Sequence, residues 1–289
     1  MAKTTVIIDG NNYIHRSWHV ASIQKSSSQY MHMYIFLTSV KKILNLFSPS
    51  DVIVCWDHRI SNDNTNFRYI ENPEYKGTRD QNKNDEVLKH STALQNVLLS
   101  LGVENMFPNN MEADDVVSYL VDNLYGNKII CSADKDLLQF INEDVSVFNP
   151  NTKSLVTKEN FSEVVGIDIK YYILYKSIIG DSSDNIKGLY KFGPVKTKKY
   201  IRGDFKLTDE QLKIVQNNIN LIDLKESYLK VENEKSVLDE QLKRIKKDPI
   251  KSDWKEFETY CIRFGFNTIL KNMPDWKNSF RSLRFKFMV

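Results

Sequence analysis

The sequence is poor in cysteine and lacks the spacings that bind structural zinc. Only three cysteines, Cys55, Cys131 and Cys261, occur in 289 residues, and no pair has CxxC spacing. This pattern excludes a disulfide framework and a cysteine-based zinc site, so we expect three reduced thiols in the core.

Long apolar runs and internal repeats are also missing. No stretch reaches the about 18 residues that a membrane span requires. The chain enters a predicted strand directly after Met1–Thr4, which leaves no room for a signal peptide. We therefore expect a soluble, cytoplasmic protein without a membrane partner, in the host cytoplasm if a bacteriophage encodes it.

Charge of one sign is not in large excess, since the formal net charge is only +3. Its distribution is more informative, because residues 241–289 contain 12 Lys and Arg against 5 Asp and Glu. A polyanion that contacts this basic region and enters an acidic, metal-filled cleft would fit the distribution. A hydrophobic content of 41% is enough for the core of one large domain or two smaller ones.

Three short β-branched runs are typical of buried parallel strands, and carboxylates follow each of them. These carboxylates are Asp9, Asp57, Asp134 and Asp136. Parallel strands bring their carboxyl ends to one edge of a sheet, so we expect the four side chains to converge. Two such charges 4 Å apart repel by about 4 kcal/mol at an effective dielectric of about 20. The cleft therefore needs bound cations or raised pKa values, although a lone Asp after a strand more often caps a helix.

Two further acidic clusters lie at the ends of predicted helices. Glu112, Asp114 and Asp115 occupy three of four positions in a first helical turn, which exceeds what the helix dipole requires. Asp181 and Asp184 form a pair at i, i+3 directly after an apolar helical run.

A polar segment at residues 58–84 is typical of a loop over a site. Within it, Tyr75, Lys76 and Arg79 could stack on a base and hold phosphates. An ordinary solvated loop is the favoured alternative if this motif is taken alone.

A glycine-containing stretch precedes a lysine-rich helix start. Gly188 and Gly193 lie before Lys196, Lys198 and Lys199. Backbone amides at a helix N-terminus bind phosphate, and the lysines would add charge. A helical hairpin with a solvated basic face explains the same pattern equally well.

The remaining periodicity predicts helices on both sides of these motifs, at residues 29–47, 85–101, 209–224, 235–247 and 251–265. Strands that alternate with helices predict an α/β fold with a central, mainly parallel sheet flanked by helices. The tail at residues 282–287 alternates apolar and basic residues and could dock on a partner, although packing on its own domain is the simpler interpretation.

With these residues in order, the chain resembles the 5′-nuclease superfamily, which includes flap endonucleases, the 5′-nuclease domains of bacterial DNA polymerases and bacteriophage 5′-to-3′ exonucleases of the T-even ribonuclease H type. The resemblance covers about residues 5–202 and rests on IIDGNN, a strand ending in Asp57, PEYKGTR, EADD, SADKDLLQ and GDSSDNIKG. It implies a PIN-like core with a helical arch. We expect residues 1–180 to form the nuclease core, with the arch at about 58–103, and residues 181–289 to form a helical hairpin and a C-terminal helical DNA-binding region.

The resemblance also implies a set of site residues. The family's metal carboxylates correspond to Asp9, Asp57, Glu112, Asp114, Asp115, Asp134, Asp136, Asp181 and Asp184. Lys76 and Arg79 would be catalytic, with Tyr75 at the base of the arch. Oxygen-only ligands favour two Mg²⁺ ions, with Mn²⁺ as a substitute. The second ion would take Asp136, Asp181 and Asp184, the first would take the others, and Asp115 would be outer-sphere to either.

The segment from Gly188 to Lys199 would be the hairpin that binds duplex DNA, with K⁺ in related proteins. This chain departs from the family pattern, because Lys191-Phe192-Gly193 replaces Gly-Ile-Gly and Val195 stands where a lysine is usual. The departure weakens the expectation of K⁺ binding and of the lysine contact to phosphate.

The function implied is a structure-specific, divalent-metal-dependent 5′ nuclease that acts on DNA flaps, free 5′ ends or RNA/DNA hybrids during replication. We expect a monomer, with a replication clamp or single-strand-binding protein as further partners. The alternatives are a Toprim-like nuclease and a non-catalytic structure-specific DNA-binding module. A Toprim site needs Glu where this chain has Asp9, and a haloacid dehalogenase needs an Asp-x-Asp that Asp9-Gly10-Asn11 does not supply.

Overall fold

The computed structural model describes residues 3–24, 28–57, 66–77 and 81–284. The strands are β1 (Thr4–Asp9), β2 (Asp51–Cys55), β3 (Glu104–Met106), β4 (Asn127–Cys131), β5 (Val145–Asn149), β6 (Ser154–Val156), β7 (Gly180–Asp181) and β8 (Ile186–Lys187).

The α-helices follow in chain order, and short 3-10 turns connect some of them. They are α1 (Gly10–Ile23), α2 (Met31–Phe47), α3 (Phe67–Glu71), α4 (Gln81–Leu88), α5 (Ser91–Ser100), α6 (Ala113–Asn123), α7 (Phe161–Val165), α8 (Tyr172–Ile179), α9 (Pro194–Ile201), α10 (Asp209–Ile222), α11 (Glu234–Lys247), α12 (Trp254–Phe264), α13 (Asn267–Lys271) and α14 (Met273–Ser279). No helix in the described ranges is long and apolar enough to cross a membrane.

The central sheet has the strand order β3-β2-β1-β4-β5-β6. Its pairs are parallel except β5 with β6, which is antiparallel. The prediction of a mainly parallel sheet flanked by helices is therefore confirmed. The register sets Asp9 beside Cys55 and Ile8 beside Cys131, so β1, β2 and β4 end at the same level.

Alternate residues of the central strands enter two separate hydrophobic clusters. Val6 and Ile8 of β1 pack with α2 and α5 on one face, and Ile7 packs with α6 on the other. This alternation is the period of a strand that is buried on both faces. It explains why these runs are continuously apolar.

The C-terminal helices pack directly against the core elements. Phe257, Trp276 and Phe280 are buried in the same cluster as α2, while Leu238 and Leu242 of α11 join the cluster of α6. Residues on both sides of position 180 thus share one core, and the division into 1–180 and 181–289 stays a prediction.

One predicted helix is divided in the structure. The sequence predicts a single helix over residues 85–101, but α4 ends at Leu88 and α5 begins at Ser91. His90, between them, has φ −107° and ψ 11°, which is not helical.

The centre of the proposed arch, at residues 58–65 and 78–80, lies outside the described residues, as does the tail from residue 285.

Candidate active site

The carboxyl ends of β1, β2 and β4 are joined by the first turn of α1. Asp9 caps α1 and accepts a 3.0 Å hydrogen bond from the amide of Asn12. The Asn11 side chain donates to Asp57 Oδ2 at 2.7 Å and accepts from the Asp57 amide at 3.1 Å. Asn12 Oδ1 accepts from the amide of Ala133, after β4, at 3.1 Å. The two asparagines therefore hold the three strand ends together.

Residues 10–12 form the first turn of α1. Gly10 is required there because a Cβ atom would lie 2.8 Å from the Cys55 carbonyl oxygen and from the Trp56 ring. The sequence did not predict the bridging role of Asn11 and Asn12, since their partners are 46 and 121 residues away along the chain.

A series of hydrogen bonds continues along the cleft from Asp9 to Asp136. Ser132 Oγ donates to Asp9 Oδ2 at 2.8 Å and accepts from the Asp134 amide at 3.0 Å. Asp134 Oδ1 accepts from the Asp136 amide at 2.8 Å. The loop after β4 thus brings Asp134 next to Asp9 and joins Asp136 to Asp134.

The N-terminus of α6 docks on the end of β2 and adds its own carboxylates. Asp57 Oδ1 accepts from the amide of Ala113 at 2.8 Å. Burial and the charges of Asp134 and Asp9 raise the pKa of Asp114 well above its ordinary value. Asp114 therefore faces the same cleft as the strand-end aspartates.

Burial and mutual repulsion oppose ionisation throughout this group. Burial, followed by the charges of Asp134 and Asp57, raises the pKa of Asp9 to about 7 despite the hydrogen bond from the Asn12 amide. Burial and the neighbouring Asp134 raise the pKa of Asp136 to about 7. The pKa of Asp134 is also raised, by burial and by the charge of Asp184. The predicted crowding of carboxylates is thus present.

Asp115 points away from this group into a buried ion pair. Arg68 Nη1 and Nη2 donate to its two oxygens at 2.8 and 2.7 Å, and Ser227 Oγ donates at 2.5 Å. Although burial opposes ionisation, the Arg68 guanidinium holds the pKa of Asp115 below its usual value. This is a correction to the expectation that Asp115 serves the metal ions from the outer sphere, because Arg68 and Ser227 occupy both of its oxygens.

Glu112 lies at the rim of the cleft and is paired with cations. Lys76 Nζ is 2.6 Å from its Oε1, and Arg68 Nη1 is 3.7 Å from its Oε2. These two charges outweigh burial and lower the pKa of Glu112. Lys76 therefore contacts a carboxylate at the rim of the cleft, and its predicted catalytic role stays a prediction.

The structure corrects the expectation that Tyr75 stacks on a base. Its side chain is only 3% exposed and packs in a cluster with Ile186. The Tyr75 hydroxyl lies 3.1 Å from Glu112 Oε2 and 3.1 Å from Asp184 Oδ2. Tyr75 thus links two acidic clusters from beneath the cleft.

The turn that carries Tyr75 and Lys76 docks on the loop after β7. The Lys76 amide donates to the Asp184 carbonyl oxygen at 3.1 Å, and Asn185 Nδ2 donates to the Glu74 carbonyl oxygen at 2.9 Å. Lys76 has a φ of 53°, in the left-handed region. This docking brings the PEYKG and GDSSDN motifs together.

Lys176 is a site residue that the sequence interpretation missed. Its Nζ lies 2.8 Å from Asp136 Oδ1 and 2.5 Å from Asp181 Oδ2. The charges of these two carboxylates outweigh burial and raise the pKa of Lys176, while Lys176 helps to lower the pKa of Asp181. A single lysine within the apolar run ILYKSII, five residues before Asp181, was the available signal.

The part of the cleft around Asp9, Asp114 and Asp134 fits divalent cations better than the part around Asp136 and Asp181. Within the described ranges, no three His, Cys, Asp or Glu side chains are already arranged as the ligands of one metal ion. Lys176 lies between Asp136 and Asp181, where the sequence predicts the second ion. Burial and the neighbouring carboxylates nevertheless raise the pKa values of Asp9, Asp114 and Asp134, even with Lys76 and Lys176 nearby. Clustered oxygen donors with uncompensated charge suit a hard divalent cation.

The N-terminal half of the chain matches a known family. A family model described as 5′-3′ exonuclease, N-terminal resolvase-like domain, matches residues 4–166. The chain belongs to this 5′-3′ exonuclease family. The predicted resemblance to the 5′-nuclease superfamily is thereby confirmed.

Individual 5′-3′ exonucleases and related proteins agree with this assignment. A 5′-3′ exonuclease of Buchnera aphidicola is 29% identical over 260 residues, which cover 85% of this chain and 87% of that protein. Flap endonuclease Xni of Psychromonas ingrahamii is 28% identical over 200 residues, 67% of this chain and 74% of that protein. The fold is similar to that of T5 5′-exonuclease with bound zinc, with a TM-score of 0.69 and 21% identity over 84% of this chain and 98% of that chain.

The two glycines of the hairpin in this exonuclease family member, Gly188 and Gly193, have different structural roles. Gly188 packs against the end of α8, where a Cβ atom would lie 2.0 Å from the Ile179 carbonyl oxygen. Gly193 caps α9, and nothing lies within 4 Å of its Cβ position. Gly188 therefore serves close backbone packing, whereas Gly193 leaves the start of α9 accessible.

The three hairpin lysines differ in exposure. Lys196 is exposed and its Nζ lies 4.0 Å from the centre of the Phe192 ring, while Lys199 is exposed on the next turn. Lys198 is half-buried, with its Nζ 3.0 Å from the Cβ position of Gly166. The basic surface of α9 is thus formed by Lys196 and Lys199.

Arg79, the second predicted catalytic cation, lies outside the described residues.

Proposed function

We propose that this protein is a structure-specific, metal-dependent 5′ nuclease that hydrolyses phosphodiesters near the 5′ ends of DNA flaps or RNA/DNA primers. The observation that carries the proposal is the convergence of Asp9, Asp114 and Asp134, whose pKa values are raised by burial and by one another. Full ionisation of such a cleft is unfavourable unless cations bind in it.

The carboxylates of the cleft form two groups, one for each proposed divalent cation. Asp9, Asp57, Glu112, Asp114 and Asp134 would hold one divalent cation, and Asp136, Asp181 and Asp184 a second. When bound, divalent cations stabilise the attacking and leaving oxygens of an in-line displacement by water. Mg²⁺ is the proposed ion and Mn²⁺ a substitute, because every donor is an oxygen.

The residues around the carboxylates orient the reaction. Asn11 and Ser132 fix Asp57 and Asp9 by hydrogen bonds of 2.7 and 2.8 Å. Lys76 lies at the rim, where its ammonium group can neutralise charge that develops on the scissile phosphate. Asp136 and Asp181 become free to bind a cation only when Lys176 moves from its present position between them, so Lys176 competes with the second ion.

Nucleic acid would reach the cleft over a basic surface. Lys196 and Lys199 on α9 and the basic C-terminal region supply contacts to duplex phosphates. The K⁺ site of related hairpins stays a weak expectation here. Action as a monomer in replication, in contact with a clamp or single-strand-binding protein, also stays a prediction, as does a cytoplasmic location.

Cleavage of defined substrates tests the proposal. The protein is incubated with labelled 5′-flap, nicked and RNA/DNA duplexes, with Mg²⁺ or with EDTA. We expect short 5′ products only with Mg²⁺, and we expect Asp134→Asn to abolish cleavage while flap-binding affinity changes less than threefold. Binding without cleavage by the unsubstituted protein would favour the non-catalytic module. Normal turnover by Asp134→Asn would remove Asp134 from the site.

A further inference from the structure

A pocket of about 250 Å³ lies apart from the acidic cleft, and the proposed reaction does not use it. It is formed by the second half of α1, the start of α2 and the end of α4. Trp18, His32 and His90 form part of its wall, and Glu86 and Lys89 stand at its exposed side.

Two buried imidazole nitrogens in this pocket have no hydrogen-bond partner. They are Nε2 of His32, a residue that is 5% exposed, and Nδ1 of His90. The two rings stack with their centres 5.3 Å apart and an interplanar angle of 27°. A buried polar atom without a partner costs about 1–3 kcal/mol, so a pair of them in one pocket points to a ligand that supplies hydrogen bonds.

The protonation of His32 identifies the kind of ligand that it can receive. Its ring donates to the backbone carbonyl of Gln29, and burial and the neighbouring His90 lower the pKa of His32 to about 4. Because Nε2 is the unpartnered atom, the donated proton is on Nδ1 and Nε2 carries a lone pair. Nε2 is buried in the structure, so a ligand in the pocket reaches this hydrogen-bond acceptor when the His32 ring turns toward it.

The surrounding groups favour a planar organic ligand over a metal ion. Trp18 and the two stacked imidazole rings provide aromatic surfaces, and the ammonium group of Lys89 at the exposed side opposes the binding of a cation. Stacking of a base on an aromatic side chain contributes about 1–3 kcal/mol. The volume is below the about 300–1,000 Å³ of ordinary ligand pockets, which suits one ring system better than a complete nucleotide.

The pocket lies at a distance from the acidic cleft that a nucleic-acid strand bound in the cleft could span. Helix α1 begins at Gly10 beside the acidic cleft, and Trp18 and Ser22 on the same helix line the pocket. At about 1.5 Å per residue, these side chains lie roughly 12 to 18 Å along the helix from the cleft. A strand that rises about 3.4 Å per nucleotide covers this distance in roughly four or five nucleotides.

We propose that the pocket between Trp18, His32 and His90 binds one nucleobase of the single-stranded 5′ portion of the substrate, about four or five nucleotides from the cleft. Cytosine and adenine present an exocyclic amine that can donate to His32 Nε2, whereas thymine presents none. Thymine can donate from its ring N3–H instead, so the pocket accepts any unpaired base that has a hydrogen-bond donor on its Watson–Crick edge. This inference rests on the proposed function.

An abasic scan of the flap tests the inference. Binding of the full-length chain to a 5′-flap duplex with an oligocytidine flap is measured in EDTA, with one abasic nucleotide moved along the flap. We expect about a tenfold loss of affinity at one position, with an oligocytidine or an oligothymidine flap, and a smaller positional loss in His32→Phe, which keeps an aromatic ring and removes the acceptor. His19→Phe is the matched control, because His19 is exposed on α1, the helix that carries Trp18, and is not part of the pocket wall.

A second measurement does not depend on cleavage or on the flap. Ring ¹⁵N resonances of His32 and His90 are recorded during titration with deoxycytidine monophosphate and, separately, with Zn²⁺. A shift of the His32 Nε2 resonance with the nucleotide supports the inference. A response to Zn²⁺ alone would overturn it in favour of a metal site.

The two proposals fail in different ways. A flat abasic scan with normal flap binding and cleavage would overturn the base pocket and leave the nuclease function intact. A protein that does not cleave any flap but still shows the nucleotide-dependent shift would contradict the nuclease function and support the pocket.

Discussion

At the scale of single residues, neighbouring acids in the same motif have opposite roles. Asp114 and Asp115 are adjacent in EADD, yet the pKa of Asp114 is raised by other carboxylates and that of Asp115 is lowered by Arg68. The difference arises because successive residues of a helix point about 100° apart, so one faces the cleft and the other the core. A motif therefore does not by itself assign each carboxylate.

Asp115→Asn tests the structural role of Asp115. The substitution leaves the Arg68 guanidinium, whose side chain is 1% exposed, without its main partner. We expect the free energy of unfolding to fall by about 3–5 kcal/mol, measured by urea denaturation in EDTA. Added Mg²⁺ should stabilise the variant as much as the unsubstituted protein. A normal unfolding free energy with lost Mg²⁺ stabilisation would instead restore Asp115 as a metal residue.

Lys176→Met tests whether Lys176 competes with a cation. Removing the ammonium group leaves Asp136 and Asp181 to repel each other, so we expect the protein in EDTA to lose about 1–3 kcal/mol of stability. The extra stabilisation by Mg²⁺ should be larger than in the unsubstituted protein, measured as the shift in Tm. Lys187→Met is the control, because that side chain is 84% exposed. Equal Mg²⁺ shifts in both variants would contradict the competition.

At the scale of elements, the site depends on close approaches between segments that are far apart in the chain. The first turn of α1 joins three strand ends, and the Gly188 backbone fits against the end of α8. Both contacts rely on a missing side chain, at Gly10 and at Gly188. Close packing of this kind is easily disturbed by one methyl group.

Gly188→Ala and Gly193→Ala form a matched pair for the hairpin. A methyl group at position 188 would meet backbone atoms at 2.0 Å, whereas nothing lies near position 193. We expect Gly188→Ala to lower stability by about 1–3 kcal/mol and to weaken duplex binding, while Gly193→Ala stays within about 0.5 kcal/mol. Thermal unfolding and a duplex-binding assay measure both effects. Equal losses in the two variants would show that close packing is not the reason for Gly188.

At the scale of the whole molecule, the acidic cleft makes stability depend on pH and metal. The folded pKa values of Asp9 and Asp136 are about 7, raised from 3.8. Between these values the folded state binds more protons than the unfolded state, so these groups lower stability as pH rises from about 4 to about 7. His32, with its pKa lowered from 6.5 to about 4, contributes in the opposite direction over part of that range.

The effect of Mg²⁺ separates the contribution of His32 from those of Asp9 and Asp136, because His32 lies in the separate pocket between α1, α2 and α4. A cation requires ionised ligands, so below pH 7 it must displace protons from Asp9 and Asp136. We expect the rise in Tm caused by Mg²⁺ to be clearly larger at pH 8 than at pH 5.5, in scanning calorimetry at constant ionic strength. A rise that is independent of pH would contradict the raised pKa values.

Patterns of consecutive residues predicted β1, β2 and β4, the mainly parallel sheet and the acidic motifs, but not the edge strand β3. Local information was sufficient, because buried strands, helix periodicity and carboxylates after strand ends are written in consecutive residues. The predicted arch was not tested, since its centre lies outside the described residues.

Only the tertiary structure decided which side chains share the cleft and which are neutralised nearby. Asp115 contacts Arg68 and Ser227, which lie 47 and 112 residues away along the chain, and Asp181 contacts Lys176, five residues away. Tyr75 is buried although its motif is polar. The physical reason is that the charge of a carboxylate is set by the groups within a few ångströms, and chain packing, not spacing along the sequence, selects those groups.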